Sequence, residues 1–468
     1  MVEEVSGSPR KPTLPRRGRG RRVATLAARM GASYGTSALV QRVRTRSPEA
    51  TAALHVKNAT RVFETAAELR GPFMKLVQLF AIQSGLLPEQ YVDTLSPLQD
   101  QAPPLPWDEF RPVLVHELGR EPEKIFRWVQ REPIAAASLG QVYAGMLHDG
   151  SQVAIKVQYP GIREAVDRDL DAFRRFLRAQ RRFGPRTPLT ELNLDEMLSD
   201  LSDRLREETD YRREAANVEL FRRIYRGWDW VHIPRVRFKY STDRVLTMDL
   251  MTGAPLGDVL RAEGVSPERE QLMLRLCRMF DYECYGVGVF HADPHPGNKL
   301  IAPDGSIHLL DFGCVKILPR RVRDSLRASA RALVAKDVAA NLEALRDLGL
   351  FRDGLDPGPA LAWSRFTHRP LLAEETAAGT GAEHAAALYQ QLGELTRHGY
   401  MQVAPHTFFL IRSFIGLDGI LRLLPYANGN GNGHGQAPDR IIPLFEELIA
   451  TGERVREDIE LDGYLRLR

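Results

Sequence analysis

Two short motifs near the middle of the chain carry side chains that can bind a hard cation. The first is His291-Ala292-Asp293-Pro294-His295-Pro296-Gly297-Asn298, and the second, Asp311-Phe312-Gly313, follows it closely. Asn298 and Asp311 offer the oxygen ligands that Mg²⁺ prefers. Asp293 can accept the proton of an attacking hydroxyl group or orient a water. These residue types at this spacing predict chemistry on phosphate groups, with Mg²⁺ held by Asn298 and Asp311.

A lysine upstream adds the cation that such chemistry needs. The strand-like run Val153-Ala154-Ile155-Lys156 follows a turn of small residues, and Lys156 can supply a point charge to the α- and β-phosphates. Each motif alone has a plain structural interpretation: a turn at Asp293 and Asn298, or a lysine at a strand edge. Together they match the protein-kinase signature set in order and spacing, which predicts ATP or ADP and Mg²⁺ as cofactors.

The turn before this lysine departs from the glycine-rich loop of protein kinases. Where those have G-x-G-x-x-G-x-V, this chain has Ala135-x-Ala137-x-x-Gly140-x-Val142. Alanine resists positive φ and places a methyl group near the phosphate oxygens, although backbone N–H groups can still bind phosphate. We therefore expect altered nucleotide preference and slow transfer, with the nucleotide bound by Ala135, Ala136, Ala137, Ser138, Gly140, Val142, Ala154 and Lys156.

The adenine pocket is expected at the strand Val245-Leu246-Thr247-Met248, where a hinge between kinase lobes belongs. In this interpretation Met248 lines the back of the pocket, and backbone groups of Asp249 and Met251 contact the adenine edge. An equally good interpretation makes them ordinary core and turn residues. No Ala-Pro-Glu follows Asp311, and a helical pattern begins soon after Pro319, which argues against a protein kinase that presents a peptide substrate.

The elements that position these residues follow from hydrophobic periodicity. Helical spacing precedes the Pro-rich stop at residues 103–106, short strands follow over residues 134–158, and helices dominate the rest. The charge is uneven along the chain. Residues 1–46 hold eleven Arg or Lys against two Glu, a local charge of +9, which leaves −5 for the remainder of a chain whose formal charge is +4. Because the basicity lies in a tail, no nucleic-acid partner is predicted.

The chain resembles the UbiB/AarF family of atypical kinase-like proteins, which includes the coenzyme-Q-associated kinases. The alanine-rich loop AAASLGQVYAG, the run VAIKVQYPGI, and the forms HADPHPGN and LLDFG are similar to those of the family. So is Glu208-Thr209-Asp210, which matches its E-x-D motif. Upstream, Lys75-Leu76-Val77-Gln78 resembles its K-x-G-Q motif, with Val77 in the position of the family glycine. The resemblance runs from about residue 50 to residue 330.

This resemblance implies roles that the residues alone do not. Glu214 falls where the helical glutamate of the family pairs with Lys156, and Lys75 would reach Glu208 and Asp210. The helix that carries Lys75 and Gln78 would cover the site, block peptides, and favour ATP hydrolysis or a small or lipid-like substrate. Without the resemblance, Lys75 and Gln78 would be surface residues of an amphipathic helix, and the E-x-D pair a solvated helix face.

We therefore predict an α+β, protein-kinase-like two-lobe fold with a helical N-terminal extension covering the cleft. The predicted divisions are a basic disordered or membrane-proximal tail (1–46), a helical extension with the K-x-x-Q motif (47–132), a small lobe (133–252), a helical large lobe (253–427), and a Gly/Asn loop with a C-terminal helix (428–468). Residues 1–22, rich in Pro, Gly and Arg, are expected to be disordered.

The predicted function is a Mg²⁺-dependent, ATP-binding atypical kinase or ATPase that supports isoprenoid-lipid or quinone metabolism. It would be cytoplasmic. The favoured interpretation of the basic tail is a solvated segment, and the alternative is peripheral attachment to the inner face of an anionic membrane. Two alternatives remain open. One is a small-molecule phosphotransferase of the aminoglycoside or choline-kinase type. The other is a catalytically weak, nucleotide-gated lipid-binding or scaffold protein, which the alanine-rich loop and Val77 favour.

Overall fold

The computed structural model describes most of the chain in two compact units. It describes residues 18–41, 48–81, 89–95, 104–136, 139–183, 199, 202, 205–262, 266–293, 295–351, 358, 363–364, 409–410, 413–414, 416–417, 420 and 438–459. The first unit comprises residues up to 215 together with 236–250, and the second comprises 216–235 together with 251–468. No helix within the described residues is long and apolar enough to cross a membrane.

Helices of the first unit bury one apolar stripe each against a shared core. They are α1 (Arg19–Gln41), α2 (Pro48–Leu69), α3 (Gly71–Ala81), α4 (Glu89–Leu95), α5 (Trp107–Leu118), α6 (Pro122–Ile125) and α7 (Ile162–Phe183), and α8 (Tyr211–Ile224) begins there and ends in the second unit. In α1 the buried residues Val23, Leu26, Met30 and Tyr34 recur every three or four positions. This spacing places them on the face that packs against α2 and α7.

The sheet of the first unit is antiparallel and has five strands. These are β1 (Phe126–Val129), β2 (Ala135–Ala136), β3 (Gly140–Leu147), β4 (Gln152–Gln158) and β6 (Val245–Asp249). Their order is β1-β3-β4-β6, and β2 pairs with β3. Side chains of Val153, Ile155 and Val157 alternate along β4 and enter the core of this unit. The intervening residues, including Lys156, therefore share the other face of the sheet.

The second unit carries short strands around the predicted catalytic motifs. Its strands are β5 (Val231–His232), β7 (Ala254–Pro255), β8 (Val289–His291), β9 (Lys299–Ile301), β10 (Ile307–Leu309) and β11 (Val315–Ile317). Four form a sheet in the order β5-β10-β9-β7, and β11 pairs with β8. Its helices are α9 (Leu256–Arg261), α10 (Pro267–Asp281), α11 (Arg320–Val334), α12 (Val338–Asp347) and α13 (Pro438–Asp458). A π-helical turn, Tyr282–Val287, continues α10.

Three predictions from the sequence differ from this architecture. The expected disorder within the tail, residues 1–46, is wrong for residues 19–41, because an apolar stripe within the basic sequence lets them form α1. The alternative for this segment, a membrane-proximal tail, stays a prediction. Residues 1–17 lie outside the described residues. The predicted helical extension, 47–132, ends in strand β1, which pairs with β3. Residues 216–235, predicted in the small lobe, belong to the second unit because Asn217, Phe221 and Tyr225 contact residues there.

Candidate active site

Lys156 and Glu214 form a buried ion pair in the first unit. Lys156 lies on β4 and Glu214 in the first turn of α8, and the lysine Nζ donates hydrogen bonds of 2.6 and 2.9 Å to the two carboxylate oxygens. Both residues are less than one-tenth exposed. The ammonium group also lies 5.2 Å from the centre of the Tyr211 ring. The carboxylate thus holds the lysine side chain in one orientation.

The strand register places several of the residues predicted to bind nucleotide on one face of the sheet, whereas Ala136, opposite Gln141, lies on the other face. Val142 is opposite Lys156, and Ala154 is opposite Met248. Directly opposed residues share a face, as do residues two apart on a strand. Ala135, opposite Val142, extends the same face onto β2. The structure therefore brings together a lysine ammonium and a row of small and apolar side chains, a surface that suits a phosphate group beside an aromatic base.

The alanine-rich loop is described in part. Ala135 and Ala136 form β2, whereas Ala137 and Ser138 lie outside the described residues. Gly140 begins β3, and a Cβ added there would lie 2.3 Å from the backbone oxygen of Val157 and 2.8 Å from the Tyr211 hydroxyl. Glycine is therefore required at this position by the close approach of β4, independently of any phosphate.

Lys75 and Glu208 form a second ion pair in the same unit, with Nζ 2.8 Å from Oε2. Gln78, one turn further along α3, is buried, although the residues alone had favoured a surface position. Val77, in the position of the family glycine, is buried in the hydrophobic core. Asp210 Oδ1 accepts the backbone N–H of Arg212, so this carboxylate caps the first turn of α8, the helix that carries Glu214.

The predicted hinge residues divide between the two units. Met248 is buried on β6, and Asp249 ends that strand with its carboxylate 2.7 Å from Nη2 of Arg237. The ion pair occupies the Asp249 side chain, whereas the predicted contact with adenine involves the backbone groups of this residue. Met251 is the first residue of this segment in the second unit.

In the second unit, the His291 side chain forms hydrogen bonds with the backbone of both predicted catalytic motifs. Its Nδ1 accepts the backbone N–H of Asp293 at 3.1 Å, and its Nε2 lies 2.6 Å from the backbone oxygen of Asp311. Because a carbonyl oxygen only accepts, Nε2 carries the hydrogen and the ring is the neutral tautomer. The imidazole therefore fixes the backbone on both sides, next to Asp293 and at Asp311.

Asn298 and Asp311 are each oriented by one further hydrogen bond. Asn298 Nδ2 donates to the backbone oxygen of Asp293 at 3.3 Å, and Asp311 Oδ1 accepts the N–H of Gly313 at 2.8 Å. The Asn298 amide and the Asp311 carboxylate both carry the hard oxygen donors that suit Mg²⁺. The donor chemistry of this pair thus fits the predicted metal. No cluster of three or more acidic, His or Cys ligands occurs within the described residues.

Two residues that support the motifs were missed by sequence reasoning. Glu283, in the π-helical turn, is buried and accepts hydrogen bonds from the Tyr225 hydroxyl at 2.5 Å and from the His291 N–H at 3.0 Å. Burial raises its pKa, and the two hydrogen bonds oppose that rise. Asn217 on α8 donates to the backbone oxygen of Phe312 at 2.8 Å. The sequence signal for Glu283 was its position as a charged residue just before the apolar run that leads to His291.

Comparison with known proteins identifies relatives of this arrangement. The sequence model of the ABC1 atypical kinase-like domain matches residues 97–345. The chain is 33% identical over 291 residues to the protein ACTIVITY OF BC1 COMPLEX KINASE 8, chloroplastic, of Arabidopsis thaliana, covering 61% of this chain and 38% of that protein. It is 31% identical over 317 residues to AarF domain-containing protein kinase 1 of Mus musculus, covering 65% and 58%.

An uncharacterized protein of Synechocystis sp. is 32% identical over 309 residues, covering 65% of this chain and 52% of that protein. The chain spans about half the length of the curated relatives that it matches. The structure of the Rv3197–erythromycin complex from Mycobacterium tuberculosis is similar at a TM-score of 0.55 and 26% identity, covering 80% of this chain and 94% of that one. The predicted α+β, kinase-like fold with two lobes is confirmed.

Proposed function

Because this chain belongs to the ABC1 atypical kinase-like family, we propose that it is a Mg²⁺-dependent, ATP-binding atypical kinase or ATPase. The predicted relationship to the UbiB/AarF family is confirmed by the same match and by relatives named as AarF domain-containing kinases. Fold alone does not establish activity, so the proposal rests on the chemistry of particular residues.

The buried Lys156–Glu214 ion pair is the observation that carries the proposal. Removing a lysine and a glutamate from water is costly, and an apolar pair of similar size would often be as stable. A lysine oriented by a glutamate on a face with small side chains suits recognition of nucleotide phosphates. Lys156 would bind the α- and β-phosphates, and Glu214 would hold it in place.

Residues of the second unit would supply the remaining roles. Asn298 and Asp311 would hold Mg²⁺, which supplies positive charge to the phosphate oxygens when bound. Asp293 would accept the proton of an attacking hydroxyl group or orient a water. His291 keeps the backbone of Asp293 and Asp311 in place through its two ring nitrogens.

The substrate class that we propose is an isoprenoid lipid or a quinone-related molecule at an anionic membrane surface. The family resemblance supports this class, because it implies that the helix carrying Lys75 and Gln78 would block peptides. The surface of α1 adds a physical argument. Arg21, Arg22 and Arg29 are exposed on that helix, and each basic residue near an anionic bilayer contributes about 1 kcal/mol to binding. Such association would place the protein at the cytoplasmic side of a membrane.

Phosphate release from Mg-ATP by the purified chain, with and without anionic liposomes, tests the proposal. We expect turnover that rises with liposomes and is lost in Asp311→Asn. Asp304→Asn, which alters an exposed carboxylate near the same sheet, is the matched control and should retain turnover. If Asp311→Asn leaves Mg-nucleotide affinity unchanged, the metal assignment is wrong. If the folded wild-type protein releases no phosphate in either condition, the enzymatic proposal is wrong.

A second candidate function is a catalytically weak, nucleotide-gated binding protein for a large apolar ligand. The similar mycobacterial protein was solved as a complex with erythromycin, a bulky molecule of this kind. Ala135 and Ala137, which replace two glycines of the kinase pattern, favour slow transfer. Calorimetric titration with erythromycin, with and without Mg-ATP, tests this candidate. Binding that survives Asp293→Asn but is lost in Lys156→Ala would support it, and equal loss in both variants would contradict it.

A further inference from the structure

A buried ion pair between Arg19 and Asp169 joins four helices of the first unit, α1, α2, α3 and α7. Arg19 is the first residue of α1 and Asp169 lies on α7, and the guanidinium binds the carboxylate through Nε at 2.9 Å and Nη2 at 2.5 Å. Asp169 is 2% exposed and Arg19 is 7% exposed. Arg19 lies outside residues 97–345, to which the family model matches, so the pair adds a feature of this chain to the family domain.

The same two side chains occupy the corner between α2 and α3. Arg19 donates to the backbone oxygen of Leu69 at 2.6 Å and to that of Arg70 at 3.1 Å, while Asp169 Oδ2 accepts the N–H of Phe73 at 3.1 Å. The carbonyl groups that end a helix and the N–H groups that begin one have no partner within their own helix. A cation at the end of α2 and an anion at the start of α3 also match the two helix dipoles.

The backbone at this corner needs such support. Arg70 has φ of 52° and Gly71 has φ of 59°, so two successive residues are left-handed, and the first of them is not glycine. A non-glycine residue in this conformation is held by the surrounding structure. Here that structure includes the hydrogen bond from Arg19 to the carbonyl group of Arg70 itself.

The corner lies immediately before Lys75. Phe73, whose N–H is bound by Asp169, precedes Lys75 by two residues on α3, and Lys75 Nζ binds Glu208 at 2.8 Å. A helix is stiff over such a distance, so the orientation of the first turn of α3 sets where the Lys75 side chain points. A change in the backbone at the corner would therefore reorient α3 and move Lys75 away from Glu208.

We propose that Arg19 and Asp169 are positioning residues that hold Lys75 against Glu208. The contribution to turnover rests on the proposed function, whereas the contribution to the position of α3 does not. A buried ion pair is weak evidence for stability, because desolvation offsets most of the attraction. Its consequence here is a fixed backbone conformation at the corner between α2 and α3. Through this corner, α1 would help to position Lys75 in the proposed active site.

Hydrogen exchange of the full-length protein without nucleotide tests the positioning itself. In the double variant Arg19→Met, Asp169→Leu, the apolar side chains fill the space that the ion pair occupied, and we expect the protein to fold. We expect the amides of residues 73–78 to exchange about tenfold faster or more, while those of β3 and β4 keep their rates. Arg22→Met, which removes an exposed ion pair with Glu68 from the same helix, should leave α3 unchanged. Unchanged exchange of residues 73–78 in the double variant would overturn the proposal.

Turnover of Mg-ATP separates a positioning role from a general loss of stability. If the pair acts through Lys75, the double variant and Lys75→Met should change turnover by the same factor within about twofold. Adding Lys75→Met to the double variant should then change nothing further. Effects that multiply would overturn the link to Lys75. If the wild-type protein has no turnover, the proposed function fails, and hydrogen exchange in the Lys75→Met and double variants still decides whether the pair holds α3.

Discussion

The Nζ atom of Lys156 lies 2.6 Å and 2.9 Å from the two carboxylate oxygens of Glu214, a residue 58 positions further along the chain. The strand and the helix that carry these residues meet inside the first unit, where little water reaches the pair. Each charge therefore depends on the other, which makes the pair sensitive to loss of one partner in a way that a surface ion pair is not.

Lys156→Met should destabilise the protein by about 3–5 kcal/mol, because Glu214 would remain buried without its counter-charge. Urea unfolding measures this loss. Arg22→Met removes a guanidinium group from the ion pair with Glu68, in which both side chains are about half exposed. This change should alter stability by less than about 1 kcal/mol. Adding Glu214→Leu to Lys156→Met should recover most of the loss. Similar losses in Lys156→Met and Arg22→Met would contradict the buried character of the Lys156 pair.

Gly140→Ala should destabilise the first unit by about 1–3 kcal/mol, because the added Cβ would overlap the backbone oxygen of Val157. Gly35→Ala is the matched control. It lies inside α1 with nothing within 4 Å of an added Cβ, and should stabilise the protein by about 0.5–1 kcal/mol. Thermal unfolding of the two variants compares them directly. Equal effects would show that close packing at Gly140 is not the reason for glycine there.

His291→Phe should lower turnover of Mg-ATP by about tenfold to hundredfold while leaving the KM for nucleotide within about twofold. The phenyl ring keeps the edge contact with Phe312 but loses both hydrogen bonds, each of which contributes about 0.5–1.5 kcal/mol. Steady-state kinetics separates kcat from KM. A rise in KM with unchanged kcat would mean that His291 supports nucleotide binding rather than the position of Asp293.

The stability of the protein should fall as pH rises from about 5 to 8 because of Asp281. Burial raises the pKa of this carboxyl group to about 8, and its Oδ1 has no hydrogen-bond partner within the described residues. Between the unfolded pKa of about 3.9 and the folded value of about 8, the folded state binds a proton that the unfolded state has released. The slope is therefore negative, about 1.4 kcal/mol per pH unit.

Asp281→Asn should remove this part of the pH dependence. Urea unfolding at pH 5, 6, 7 and 8 would then show the wild-type protein losing stability relative to the variant at each step. Asp304→Asn provides the comparison, since the pKa of that exposed carboxyl group is lowered by the hydroxyl and N–H of Ser306 and it stays ionised over this range. Parallel curves for wild type and Asp281→Asn would contradict the raised pKa.

Much of the candidate site could be predicted from local sequence. The order and spacing of the motifs at Lys156, Asp293 and Asp311 predicted chemistry on phosphate groups, because the residues around a reacting phosphate must be of particular types. The strand-like run that contains Lys156 was likewise predicted, and the register of β4 places Ala154 and Lys156 on one face. These features depend on the chain within a few residues, where strand geometry leaves little choice.

The first helix and the buried support of the catalytic loop could not be predicted in this way. Basic residues over 1–46 favoured a disordered tail, yet Arg19 is buried against Asp169. This partner lies 150 residues further along the chain, so the local sequence gives no sign of it. The burial of Gln78 and the supporting role of Glu283 were missed for the same reason: whether a polar side chain is buried depends on what packs over it. Composition reports the average environment of a segment and says nothing about its distant neighbours.

The sequence by itself determined which residues can do chemistry and roughly where the strands and helices that carry them lie. The family resemblance implied Glu214 as the partner of Lys156 and Glu208 as a partner of Lys75, and the structure contains both pairs. Only the tertiary structure decided which other polar residues are buried and what they pair with, as Asp169 does with Arg19. The reason is physical. Residue type and spacing act through short-range backbone geometry, whereas a buried charge can be satisfied by many residues along the chain, and packing of the whole unit selects one of them.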